Sequence, residues 1–375
     1  MGKSNNCKIR KLIHQDAAYK SFILTYKMTC QRLVYFLPFH KIVNMQKPEL
    51  NLAVIICLCL LFLMIKPAII FAQHGQSMYP QFTDQVNEVR VVDNYAYCST
   101  NSGLIILNIQ NPNTPVLVSR LKSDGAHLAM DISGNYAYLA AGDYGLNIVD
   151  ISNVASPVIV GNYDTPGHAY DIYVAGYFAY VADEWEGLQI IDVSNPTYPT
   201  LAANYGLSDC DFIGIFVSNN YAYIADSRAG LRLINISNPS SPWLTALCAI
   251  AERIQSVFVY DIYAYVANGE DGLVIVDASI PTDPKIISSY DTPGFSYNLA
   301  VSEARAYIAD GTGLEIVNIE NPANPVSIGR CPTPGWEKNV CVVGDYAYVA
   351  DSWAGLQIIS IRDVYNPKLI GWYKP

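Results

Sequence analysis

The sequence predicts an all-β protein, a seven-bladed β-propeller with four antiparallel strands per blade. Three observations predict it. A glycine followed by leucine stands at Gly103, Gly145, Gly187, Gly230, Gly272, Gly313 and Gly355, so one unit of 41–43 residues occurs seven times between about Val86 and Tyr373. Each unit holds four short β-branched and aromatic runs broken by Gly, Asn and Pro, the signature of strands and turns. No stretch in these units is long or periodic enough for a helix, and four strands per repeat make one propeller blade. At 375 residues, 51% hydrophobic and 15% charged, the chain has the apolar material for a sizeable core.

The elements follow in order within each unit, and the third is representative. Ile172-Tyr173-Val174 is the first strand, Ala175-Gly176 a turn, and Phe178 to Val181 the second strand. After a loop, Leu188 to Val193 forms the third strand, a Pro-rich corner follows, and Leu201 to Tyr205 is the fourth. Ala-Tyr recurs on the second strand at Ala96, Ala137, Ala179, Ala222, Ala264, Ala306 and Ala347, a small residue beside a large ring that suits sheets stacked ~10 Å apart. The first strand alternates apolar positions, as in Val89/Val91 and Met130/Ile132. The glycine before the third strand implies a backbone with positive φ or a close approach. These columns carry structure, so most of the 28 tyrosines are blade packing. The first unit begins with its first strand and the last contains its fourth, so each blade is contiguous in sequence. The run Ser77 to Phe82 could add an edge strand beside the last blade.

The units resemble the LVIVD repeat family, whose pattern is a GNYAYVAD segment, a GLxIIDVSNP segment and a PxxP corner. The closest stretches are 177–199 (YFAYVADEWEGLQIIDVSNPTYP), 220–242 (NYAYIADSRAGLRLINISNPSSP) and 345–360 (DYAYVADSWAGLQIIS). The resemblance implies an exported, often surface-associated β-propeller of undefined biochemistry. Many relatives carry anchoring or adhesion domains after the repeats; this sequence ends at Lys374-Pro375.

Ahead of the repeats, residues 52–65 (LAVIICLCLLFLMI) are all apolar, Lys47 precedes them, and Ile70-Phe71-Ala72 ends on a small residue. That is a signal-peptide pattern, with a retained signal anchor as the alternative. Met45 would make a well-proportioned start, so residues 1–44 read as a basic extension with no assigned fold, 45–72 as the signal segment, 73–85 as a lead-in and 86–375 as the propeller. Export to the periplasm, the cell surface or the medium follows. Through Ala72 there are ten Lys and Arg against two Asp and Glu, which leaves the remainder with 13 basic and 31 acidic residues, about −18. An acidic body argues against nucleic acid as a partner, and leaves membrane association to the N-terminal segment if it is uncleaved. Five cysteines of the body (Cys98, Cys210, Cys248, Cys331, Cys341) are odd in number and lack a CxxC, which favours buried packing over a disulfide framework or a zinc site.

In an up-and-down blade, the loop leading into the first strand and the loop between the second and third strands share a face. On a rigid repeat scaffold, function is usually placed in such variable loops. That face collects Trp185, Trp336, Trp353, Tyr144, His168, Asp183, Glu184 and Arg228, and exposed rings beside carboxylates suit a protein or glycan ligand. Asp183, Asp226, Asp310 and Asp351, with Asn268, form a column that either caps its loop or contacts ligand. At the channel mouth a second column includes Glu88, Asp171, Asn298 and Asn339, whose oxygens are candidate ligands for Ca²⁺, an ion that takes roughly six to eight of them. Apart from that ion no cofactor is expected. The sequence has no G-x-S-x-G, no H-E-x-x-H and no phosphate-binding Gly-rich loop. The reading is therefore a non-catalytic, monomeric binding or scaffolding module for protein or glycan. The alternative is a calcium-assisted hydrolase or lyase at the channel mouth, with His127, His168 and Asp171 as an acid-base group.

Overall fold

The computed structural model describes residues 84–251 and 253–375. They form seven four-stranded antiparallel sheets, each built from four consecutive strands. Among the described residues there is no helix. The blades span residues 86–122, 129–163, 171–205, 212–249, 256–290, 298–331 and 339–373, each running from an inner strand to an outer one. The basic extension, the signal segment and the proposed edge strand Ser77 to Phe82 lie outside the described residues.

Each pair of adjacent blades has its own hydrophobic core, which gives seven, the last uniting blade 7 with blade 1. All seven alanines of the Ala-Tyr pairs are 0% exposed, because a larger residue would push neighbouring sheets apart. An Ile or Leu fully buried in such a core contributes about 1.5–3 kcal/mol. Cys98, Cys210, Cys248 and Cys331 are buried free thiols in these layers, and Cys341 is half-buried.

The glycine before the third strand satisfies both reasons given for it. At Gly187 φ is +82°, and an added Cβ would sit 2.3 Å from the Tyr205 carbonyl oxygen of the outer strand. The other six copies share the positive φ and the crowding by an outer-strand carbonyl. The turn between the inner and second strands also takes a positive φ, at Asp93, Gly134, Gly176, Asn219, Asp261 and Gly344, the residues that tolerate it best. Blade 6 is the exception, with Glu303 and Ala304 both in that region.

A column not apparent from the sequence locks the outer strands of blades 1, 2, 5, 6 and 7 to the next blade. A small residue sits where the following Pro-rich corner presents a carbonyl: Gly161 against Pro196, Gly329 against Val364 and Gly371 against Pro112. Where serine replaces glycine the contact becomes a hydrogen bond, Ser119 to Val154 O and Ser288 to Pro322 O, both 2.5 Å. Because Gly371 belongs to blade 7 and Pro112 to blade 1, the ring closes with the contact used between its other blades. Val86 N donates to Ser352 O at 3.0 Å across the same junction.

Candidate functional site

The inner strands line a central channel, and strand register sorts their side chains into two rings. Glu88, Ala129, Asp171, Gly214, Ser256, Asn298 and Asn339 pair with Ser99 or with the alanine two residues past the recurring Tyr, and form the upper ring. Two residues on, Arg90, Asp131, Tyr173, Phe216, Phe258, Ala300 and Cys341 each pair with that Tyr and form the lower ring. The lower ring encloses about 410 Å³, and a mouth of about 200 Å³ lies above it. Glu88, Asp171, Ser256 and Asn298 line both compartments and mark their boundary.

Four blade junctions along the channel are closed by a side chain that accepts a backbone N–H from the next blade. Asn339 Oδ1 accepts from Val89 N at 3.3 Å, and Asp131 Oδ2 accepts from Val174 N at 2.8 Å. Asp171 Oδ2 accepts from Ile215 N at 2.8 Å, and Glu88 Oε2 from Met130 N at 2.5 Å. Glu88 Oε1 also meets Asn339 Nδ2 at 3.1 Å and Arg90 Nη1 at 2.5 Å. Three carboxyl groups thus surround one guanidinium. Burial raises Glu88 to about 8 and Asp171 to about 6, and raises Asp131 too, with Arg90 opposing it in all three. Burial thus favours a proton on this cluster where free carboxylates have lost theirs.

Of the oxygens expected to hold calcium, those of Glu88, Asp171 and Asn339 each accept an N–H from the next blade, and Asn298 is a wall of both compartments. Among the described residues no group of three or more His, Cys, Asp or Glu has the geometry to hold a metal. The acid-base group does not assemble. His127 is completely buried, its Nε2 lies 3.1 Å from Ser123 Oγ and 3.2 Å from Asn147 Nδ2, and burial lowers its pKa to about 4. His168 instead pairs with Asp143, Nδ1 to Oδ1 at 2.8 Å, on the rim.

The face containing the mouth is the one expected. At four junctions the second-to-third-strand loop bridges the start of the next blade, Gly142 to Ala169, Glu184 to Phe212, Gly269 to Ser296 and Ser352 to Val86. Over blades 2 to 4 these loops make one continuous arc. Tyr144 and Trp185 stand 50% and 56% exposed on it. His168 lies beside Asp143, and Arg228 Nε is 3.9 Å from Asp211 Oδ2. Partial burial raises the Glu184 pKa, and His168, Asp211, Asp143 and Arg228 all act on that carboxyl, so the five side chains form one patch. Trp336 and Trp353 belong to blade 7, away from this arc, and Lys374 Nζ lies 5.7 Å from the Trp353 ring centroid.

Asp183 is a correction. It is 0% exposed and spends its carboxylate inside the fold, accepting from Thr165 Oγ1 at 2.6 Å and Gly167 N at 2.9 Å. Asp226, Asp310 and Asp351 are buried in the same column, and each accepts a loop N–H. The column caps its loops, since a carboxylate at a strand end is the readiest acceptor for loop amides. Sequence reasoning missed the lower ring altogether. Its signal was present: the positions two residues beyond the upper-ring column change from Arg to Asp, aromatic, Ala and Cys among otherwise equal repeats.

The architecture defines a repeat propeller whose variation is confined to its rim and its channel. The LVIVD repeat model matches residues 85–122, 128–165, 166–206, 213–249, 253–292, 293–333 and 334–374, and the chain belongs to that family. No curated protein matches it. Among solved structures, the WD40 β-propeller domain of Doa1 is similar with a TM-score of 0.61 at 12% identity, covering 75% of this chain and 94% of that one. BamB from Moraxella catarrhalis is similar at a TM-score of 0.51 and 16% identity, covering 73% and 81%. PorZ, a surface component of the type-IX secretion system of Porphyromonas gingivalis, gives 0.57 at 12% identity, covering 78% of this chain and 38% of that one. At these identities the likeness is one of fold.

Proposed function

We propose that this protein is a non-catalytic binding module that acts after export, at or outside the cell surface, and takes a protein partner on the loop arc of blades 2 to 4. The arc itself carries the reading: Tyr144, Trp185 and Arg228 are residue types that dominate binding hot spots, and all three are exposed on adjacent blades beside acidic groups. Its carboxylates outnumber its cations, so the partner presents a basic or amide-rich surface. The propeller fold, shared with the distant structures above, supports a binding or scaffolding role. The apolar run at 52–65 supports export.

The test uses the full chain as bait for extracellular and envelope proteins, with a glycan array in parallel. Capture of a protein that is lost in Trp185→Ala at unchanged melting temperature is the expected result. Capture that survives Trp185→Ala together with Tyr144→Ala would move the site elsewhere, and glycan binding without protein capture would replace the ligand class.

A further inference from the structure

The lower ring is not uniform, and its two walls match the two halves of one kind of molecule. On one side Glu88, Asp131 and Asp171 face Arg90; Lys338, at the mouth, has its Nζ 3.0 Å from Asn87 Oδ1. Even with Glu88 holding a proton, Asp131 and Asp171 outnumber Arg90 among the residues lining the lower compartment, which leaves it an excess of negative charge. On the other side Tyr173, Phe216 and Phe258 form a continuous aromatic wall, with ring centroids 5.0 and 4.9 Å apart in sequence. On the strand that carries Phe258, at the boundary of the compartments, Ser256 is 7% exposed and its Oγ has no hydrogen-bond partner. An unpartnered buried hydroxyl beside a cavity is an unused hydrogen-bonding group that a ligand would engage. The volume, about 410 Å³, falls in the range of small-molecule sites and far exceeds that of a bare metal ion.

We propose that the channel binds a small organic cation, an amine carried on an aromatic or alkyl body. The ammonium group sits against Asp131 and Asp171, whose oxygens each retain acceptor capacity beyond the N–H bonds they make, and it offsets the charge that Arg90 leaves unbalanced. The body packs on Phe216 and Phe258, where ring faces attract both apolar groups and the adjacent cation. An anion would meet the carboxyl wall, and a neutral apolar molecule would leave that wall unpaired. The site is separate from the rim arc, so its failure leaves the proposed protein-binding role standing, and the reverse also holds.

The experiment is calorimetric titration of the full chain with phenethylammonium, 2-phenylethanol, phenylacetate and calcium chloride. Saturable binding of phenethylammonium below about 1 mM is expected, with 2-phenylethanol at least roughly tenfold weaker and phenylacetate weaker still. Asp131→Asn, which keeps an acceptor for Val174 N–H, should weaken the cation roughly tenfold without weakening the alcohol. Equal affinity for cation and alcohol, calcium binding in place of the ammonium, or no saturation by about 10 mM would each overturn the proposal. The ligand series is read on the unaltered protein and stands even if the variant fails to fold.

Discussion

Around the channel, blades 7, 1, 2 and 3 and blades 4, 5 and 6 join to their successors by different chemistry. The first four reach across each junction with Asn339, Glu88, Asp131 and Asp171. In the second arc the upper-ring positions are Gly214, which has no side chain, Ser256, whose hydroxyl has no partner, and Asn298. Junction 4–5 is closed instead by Phe216 against Phe258. The buried alanines are the same throughout, and the outer contact recurs on both sides, at Gly161 and Ser119 in the first arc and at Gly329 and Ser288 in the second. The outer three strands of a repeat therefore carry its regularity, and the inner strand is free to carry charge on one side of the ring and aromatic side chains on the other.

The comparison can be broken at one column. Glu88→Ala removes the acceptor for Met130 N–H and an oxygen partner of both Arg90 and Asn339, and should cost about 2–4 kcal/mol in denaturant unfolding. On the aromatic arc, Phe216→Leu should cost about 1–2 kcal/mol, with no dependence on pH. The polar arc is pH-sensitive. Buried carboxyls there and in the loops are raised, Glu88 to about 8, Glu337 to about 7, and Asp171, Asp183 and Asp351 to about 6. A raised carboxyl favours the folded state when protonated, so its contribution is full below the ordinary value near 4 and is lost as pH rises through the raised one. His127 runs the other way: buried neutral with its pKa lowered to about 4, it costs stability as pH falls below about 6.5. Five raised carboxyls outweigh the one lowered imidazole, so the melting temperature should fall steadily from about pH 5 to pH 9, and Glu88→Gln should flatten the portion above pH 7. The smallest effect belongs to Ser256→Ala, the same column as Glu88, which should stay within about 0.5 kcal/mol of the parent. Similar costs for Glu88→Ala and Ser256→Ala would erase the distinction between the arcs.

Much of the fold was legible because a strand repeat writes its core in fixed columns. The Gly-Leu pairs, the Ala-Tyr pairs and the alternating inner strand each correspond to crowding or burial in the fold. The candidate site was legible only in part. Trp185 and Tyr144 could be placed on one face from topology alone, since loop order fixes the face. Asp183 could not be told from a surface acid, because whether a strand-end carboxylate turns outward or caps a loop depends on the Thr165 hydroxyl and the Gly167 amide, 18 and 16 residues away. The lower ring was hidden for a related reason. Arg90, Asp131 and Phe216 sit in strands whose neighbours along the chain are apolar, and they become one cavity only when the ring closes.

The account rests on the residues that break the repeat, and one measurement tests that directly. A photo-crosslinking residue is placed at position 185 on the arc and, in a second protein, at position 243 on the outer strand of blade 4, where Trp243 is similarly exposed at 52%. The account predicts a covalent adduct with the captured partner from position 185 and none from position 243. Adducts from 243 alone, or equally from both, would contradict it.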